Sequence, residues 1–114
     1  MIKLVEVIFL KLYGQKSSNY LTVEEIIRYK IQVKGRVQGV GFRWSAANEA
    51  RNNGIDGYVK NLSNGDVYIE AEGKKYQLDA YVEWCKRGPV YGFVESVDVV
   101  SCAPVNYKEF RIER

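Results

Sequence analysis

Between Tyr29 and Ala50 the hydrophobic period of this chain shifts from two residues to about 3.6, which demands a fold in which a strand feeds directly into a helix. Tyr29, Ile31 and Val33 alternate with Lys30, Gln32 and Lys34, the pattern of a half-buried strand. Phe42, Ala46 and Ala50 recur at helical spacing, with Ala47 beside them and Gly54 placed to stop the helix. Between the two patterns runs Gly35-Arg36-Val37-Gln38-Gly39-Val40-Gly41-Phe42-Arg43. Its glycines allow the backbone to curl until successive N–H groups converge, and such a concavity binds anions, phosphate above all. A helix starting directly behind it adds unpaired N–H donors and the positive end of its dipole. Arg43, at the helix start, adds a permanently charged forked donor. Neither common nucleotide cradle is present. A P-loop needs Gly-Lys-Ser/Thr where this loop closes with Gly41-Phe42-Arg43, and a dinucleotide fingerprint needs glycine where Trp44 stands.

Downstream, Tyr58 to Leu62 reads as a second strand. Ser63-Asn64-Gly65 is a hairpin signal, with Asn-Gly suited to a type I′ turn. Val67, Ile69 and Ala71 then alternate with Tyr68, Glu70 and Glu72. Leu78, Tyr81, Val82 and Cys85 fall at i, i+3, i+4 and i+7, a helix stripe closed by Gly88-Pro89. Val94, Val97 and Val99 mark a fourth strand, whose three-residue step before Val97 suggests a bulge. Phe110 and Ile112 mark a short terminal one. The order predicts an α+β, ferredoxin-like βαββαβ sandwich: an antiparallel sheet with two helices on one face and a short extra C-terminal strand. In that layout the first two strands run parallel, so the glycine loop and Asn61 reach the same sheet edge. An amide there can hold and aim a water beside a bound phosphate.

The 114 residues suit one core, and a net charge of +3 suits a small anion better than a long phosphate polymer. There is no histidine, which removes the usual general base and the commonest metal ligand. Cys85 and Cys102 form no cluster, so no metal and no cofactor are expected; both thiols are expected to stay free in a cytoplasmic protein. No apolar run approaches membrane-spanning length. Phe42, Trp44 and Trp84 read as packing residues. Asn61, taken alone, reads as a cap or as a turn partner of Ser63.

The stretch from Gly35 to Arg43, and Gly57-Tyr58-Val59-Lys60-Asn61 followed by Asn64-Gly65, resemble the two signatures of the acylphosphatase family. Gly88-Pro89 and the closing Phe110-Arg111-Ile112 also fit, and the resemblance spans about residues 28 to 114. It implies metal-free hydrolysis of small acyl phosphates to a carboxylate and phosphate. Carried over motif by motif, Arg43 would bind the phosphoryl group, Asn61 would orient the attacking water, and the N–H groups of Gln38, Gly39, Val40, Gly41, Phe42 and Arg43 would form the cradle. The region Val90-Tyr91-Gly92-Phe93 is bulkier than is usual after Gly-Pro in the family.

Two other readings share this layout. A ferredoxin-like nucleic-acid-binding module would stack bases on aromatics such as Tyr68, but Glu70 and Glu72 on the same side would repel phosphates. A domain serving a carbamoyl-transfer enzyme would belong to a far longer chain. No nucleic-acid or membrane partner is therefore expected, and oligomeric state is left open. Residues 1–27 have no counterpart in the family and read as an accessory extension: a strand through Val5, Val7 and Phe9, a loop from Gly14 to Asn19, and a helical turn through Val23, Ile26 and Ile27.

Overall fold

The computed structural model describes residues 25–114, so the strand and loop expected before Val23 lie outside the described residues. The elements are β1 (Ile26–Arg36), α1 (Phe42–Asn52), β2 (Asp56–Asn61), β3 (Val67–Lys74), α2 (Lys75–Arg87), β4 (Phe93–Cys102) and β5 (Phe110–Glu113). They form one sheet in the order β4-β1-β3-β2-β5. The first four strands make the expected antiparallel arrangement. The short fifth strand runs parallel to β2, pairing Gly57 with Phe110 and Lys60 with Glu113, so the sheet is mixed. Ile26 and Ile27 are strand rather than helical turn: they face Lys74 and Gly73 of β3. Strand pairing over the length of β3 outweighs a three-residue helical spacing.

One alternation of the sheet and both helix stripes belong to a single buried cluster, which places both helices on the same face. Ile31, Val33, Val59, Val67 and Ile69 come from the strands; Phe42, Ala46, Ala47 and Ala50 from α1; Leu78, Tyr81, Val82 and Cys85 from α2. The three alanines let α1 lie close on the sheet. Tyr81, fully buried, satisfies its hydroxyl by donating to the Ala46 carbonyl at 2.9 Å and so joins the helices. Cys85 and Cys102 are both free thiols, and burial pushes the Cys85 thiol far up.

Of two local features, the β4 bulge is as expected and the β2–β3 turn differs. The β4 bulge is present: β1 pairs Lys34 with Ser96 and then Gly35 with Val94, leaving Glu95 as the extra residue. The β2–β3 turn is not type I′, which would need positive φ at both central residues. Only Gly65 has it, at 98°, and its N–H donates to the Leu62 carbonyl at 3.2 Å. This is a tight turn followed by a glycine bulge, and the Leu62 N–H then bonds the Asp66 carbonyl at 2.8 Å.

The opposite sheet face carries a polar network centred on two buried carboxylates, Glu70 and Glu72. Arg28 donates to Glu70 at 2.7 Å, Tyr68 at 2.7 Å and Tyr107 at 2.6 Å. Glu72 accepts from the backbone N–H groups of Val105, Asn106 and Tyr107, which pins the segment 103–109 across the sheet. Tyr68, on which a base-stacking surface would rest, thus has its hydroxyl bound to a carboxylate.

Burial alone would raise the Glu70 pKa, but the hydrogen bonds from Tyr107, Tyr68 and Arg28 outweigh it and hold the group at about 2, against an ordinary 4.5. The sign follows. The folded value lies below the unfolded one, so the network's contribution is complete above pH 4.5 and is lost as pH falls toward 2. Its size is about 3 kcal/mol. Urea midpoints measured between pH 6 and 2 should fall more steeply in the wild type than in Glu70→Gln; equal slopes would refute the assignment.

Candidate active site

The glycine loop is held at both ends by core residues. Val37 and Phe42 are buried, Phe42 with its ring 5.5 Å from that of Trp84, which in turn stacks on Tyr81. Between these anchors Gly39 and Gly41 stand exposed with φ of 75° and 78°, values that turn the chain sharply without side-chain penalty. Gly41 caps α1, and no side chain bonds the open N–H groups of the first turn. Among the described residues no carbonyl or side chain accepts from the N–H groups of Gln38, Gly39, Val40 or Gly41. The loop therefore presents a run of unpaired donors at a helix N-terminus, the chemistry that favours an anion.

A cleft of about 430 Å³ opens at this edge, and Gly39, Gly41, Phe42, Arg43 and Asn61 all line it. The parallel course of β1 and β2 is what brings Asn61, the last residue of β2, beside the loop that leaves β1. The Asn61 amide makes no hydrogen bond among the described residues, so the cap or turn role does not account for it. Arg43 donates through Nη1 to the Glu113 carbonyl at 3.2 Å, and no carboxylate among the described residues forms an ion pair with it. One arm of the fork is thereby fixed and the rest of the guanidinium remains available to an anion. Farther along α1, Arg51 donates to the Phe110 carbonyl through Nε at 3.2 Å and Nη2 at 2.8 Å. The two arginines clamp the ends of β5, and β5 in return positions Arg43.

Gln38 and Val40 do not line the cleft with their side chains. The Gln38 amide instead donates to the carbonyls of Leu62 at 2.7 Å and Asp66 at 2.8 Å, bracing the loop on the β2–β3 hairpin. Nothing local in the sequence signals this brace, because its partners lie 24 and 28 residues away. Gln38→Ala should lower stability by about 1–2 kcal/mol through the loss of two hydrogen bonds, the carbonyls of Leu62 and Asp66 each keeping a backbone donor, and should weaken inhibition by inorganic phosphate several-fold by loosening the loop. Thermal melts and inhibition constants read the two effects; an unchanged inhibition constant would show that the brace does not shape the cradle.

Trp44 departs from expectation. It is not a packing residue: it is 66% exposed and lines the cleft, as does Ile112 from β5. A residue directly after Phe42-Arg43 at a helix start falls off the buried stripe of Phe42, Ala46 and Ala50, a signal present in the sequence's own spacing.

The fold and cleft define a ferredoxin-like domain whose glycine loop presents open N–H donors at one sheet edge. The sequence model of the acylphosphatase family matches residues 29–112. The acylphosphatase of Vibrio parahaemolyticus is 48% identical over 79 residues, covering 69% of this chain and 84% of that protein. That of Archaeoglobus fulgidus is 44% identical over 87 residues, 76% of this chain and 98% of its own length. The crystal structure of acylphosphatase from Bacillus subtilis superposes with a TM-score of 0.76 at 37% identity, covering 77% of this chain and 99% of that one. The chain belongs to the acylphosphatase family. It is an enzyme of that class, hydrolysing acyl phosphates.

Proposed function

We propose that the phosphoryl group of a small acyl phosphate sits on the N–H groups from Gln38 to Arg43, gripped by the Arg43 guanidinium, while Asn61 holds the attacking water in line with the scissile bond. The observation that carries this reading is the convergence of three unsatisfied groups on one cleft: the loop N–H donors, the free arm of Arg43 and the Asn61 amide. Among the described residues no aspartate or glutamate lines that cleft, which suits a dianionic ligand.

The chemistry asks little of a base. The water oxygen bonds to phosphorus as the bond from phosphorus to the acyl oxygen breaks, and the bond's electron pair leaves with a carboxylate. That anion is stable and needs no proton from the protein. The water's proton passes to a phosphoryl oxygen of the substrate itself. What remains for the protein is positioning and charge stabilisation, which dominate phosphoryl transfer. Arg43 and the N–H cradle supply the charge; Asn61 supplies the aim.

Hydrolysis of acetyl phosphate in ¹⁸O-labelled water containing a chelator tests this. The label should appear in inorganic phosphate and not in acetate, at undiminished rate. Label in the acetate would place attack at the carbonyl carbon, and a large loss restored by magnesium or zinc would show that a metal performs the role given to Arg43.

A further inference from the structure

We infer that Trp44, together with Ile112 in the lining of the same cleft, forms an apolar wall that selects acyl phosphates with aromatic or branched acyl groups over small ones. The inference rests on the proposed phosphoryl site and deepens it. An acyl phosphate seated in the cradle must project its acyl group out of the cleft, because the loop end is closed by the buried side chains of Val37 and Phe42. What the acyl group then meets is set by the exposed apolar surface of the lining. Trp44 and Ile112 provide it, 66% and 40% exposed.

The placement of Trp44 follows from helix geometry. It sits in the first turn of α1, where side chains lean toward the helix N-terminus, here toward the cradle. Its indole has no aromatic or hydrogen-bonding partner among the described residues, whereas Trp84 packs on both Phe42 and Tyr81. A tryptophan two-thirds exposed beside the proposed phosphoryl site, with no ring partner among the described residues, offers a flat apolar surface that a ligand can cover. An acetyl group is too small to cover it; a benzoyl group can lie against it. Specificity would thus reside one residue away from the phosphate-gripping Arg43, and the two functions would be separable by mutation.

The test is the ratio of kcat/KM for benzoyl phosphate to that for acetyl phosphate, measured in the wild type, Trp44→Ala, Trp44→Phe and Arg43→Ala. The ratio should fall about tenfold in Trp44→Ala, the scale expected for losing one aromatic contact, and should stay within about twofold of wild type in Trp44→Phe. Thermal melts should match the wild type, since among the described residues the side chain is no part of the buried core or of the hydrophobics packed against it. A ratio unmoved by Trp44→Ala, whether both rates hold or both fall, overturns the inference. Arg43→Ala separates this from the underlying site: if it loses turnover on both substrates while Trp44→Ala leaves the ratio unmoved, the phosphoryl site stands and only the acyl wall fails. If Arg43→Ala keeps its turnover, the site itself is misplaced and the wall falls with it.

Discussion

Replacing Arg43 by alanine is expected to lower kcat by ~10²–10³ or more, the cost of removing a pre-placed donor from a charged transition state. Arg43 is the charged side chain that the cradle places at its own helix start, with Nη1 tethered to the Glu113 carbonyl. The tether matters to the size of the effect. A guanidinium already held in position loses no freedom when phosphate arrives, so its full interaction counts toward the transition state. Arg43→Lys should recover little. A lysine keeps the charge but cannot bond the β5 carbonyl with one arm and phosphate oxygens with the other. Circular dichroism and melting should show both variants folded, because the half-buried guanidinium contributes one hydrogen bond of the many that hold β5. A folded Arg43→Ala enzyme with a tenth of wild-type turnover would contradict the role.

Asn61→Ala is expected to reduce kcat by a comparable factor, about 10²-fold or more, for a different reason. Its amide lies on the cleft without a partner among the described residues, so its removal should leave the fold intact and take away the group proposed to aim the water. Asn61→Asp keeps the shape but exchanges a neutral amide for an anion in a cleft that no aspartate or glutamate among the described residues lines. That variant should lose turnover as well and should also repel phosphate, so the two substitutions share a kcat defect and differ in ligand affinity. Near-normal turnover in Asn61→Ala would remove the residue from the chemistry.

Much of the route to this site was legible in the sequence because it is local. The period change around Gly35 to Arg43, the four-residue stripe of α2 and the alternation of β3 each declare an element within one window, and each is observed. The two ends of the site, Arg43 and Asn61, also sit next to glycine signals that mark them. What escaped is long-range. The tether from Arg43 to Glu113 joins residues 70 apart, the Glu72 bonds to Asn106 and Tyr107 span 34 and 35, and the parallel seating of β5 depends on two arginines of α1. No periodicity encodes such pairings. The turn after Asn61 differs from the type I′ expectation because Asn-Gly permits that turn without requiring it, and the conformation adopted needs only one positive φ. For Trp44 residue type and position point in opposite directions: an aromatic in a helix suggests packing, but its place off the buried stripe leaves it 66% exposed.

The division of labour between gripping phosphate and aiming water is tested most directly by inorganic phosphate as a competitive inhibitor of three proteins: the wild type, Arg43→Ala and Asn61→Ala. Phosphate occupies the cradle but presents no bond for the water to attack, so its affinity reads the grip alone. The account predicts an inhibition constant raised about tenfold or more in Arg43→Ala, the loss of a charge-assisted hydrogen bond, and within about twofold of wild type in Asn61→Ala despite its collapsed kcat. The reverse pattern, with phosphate affinity lost in Asn61→Ala and kept in Arg43→Ala, would contradict it.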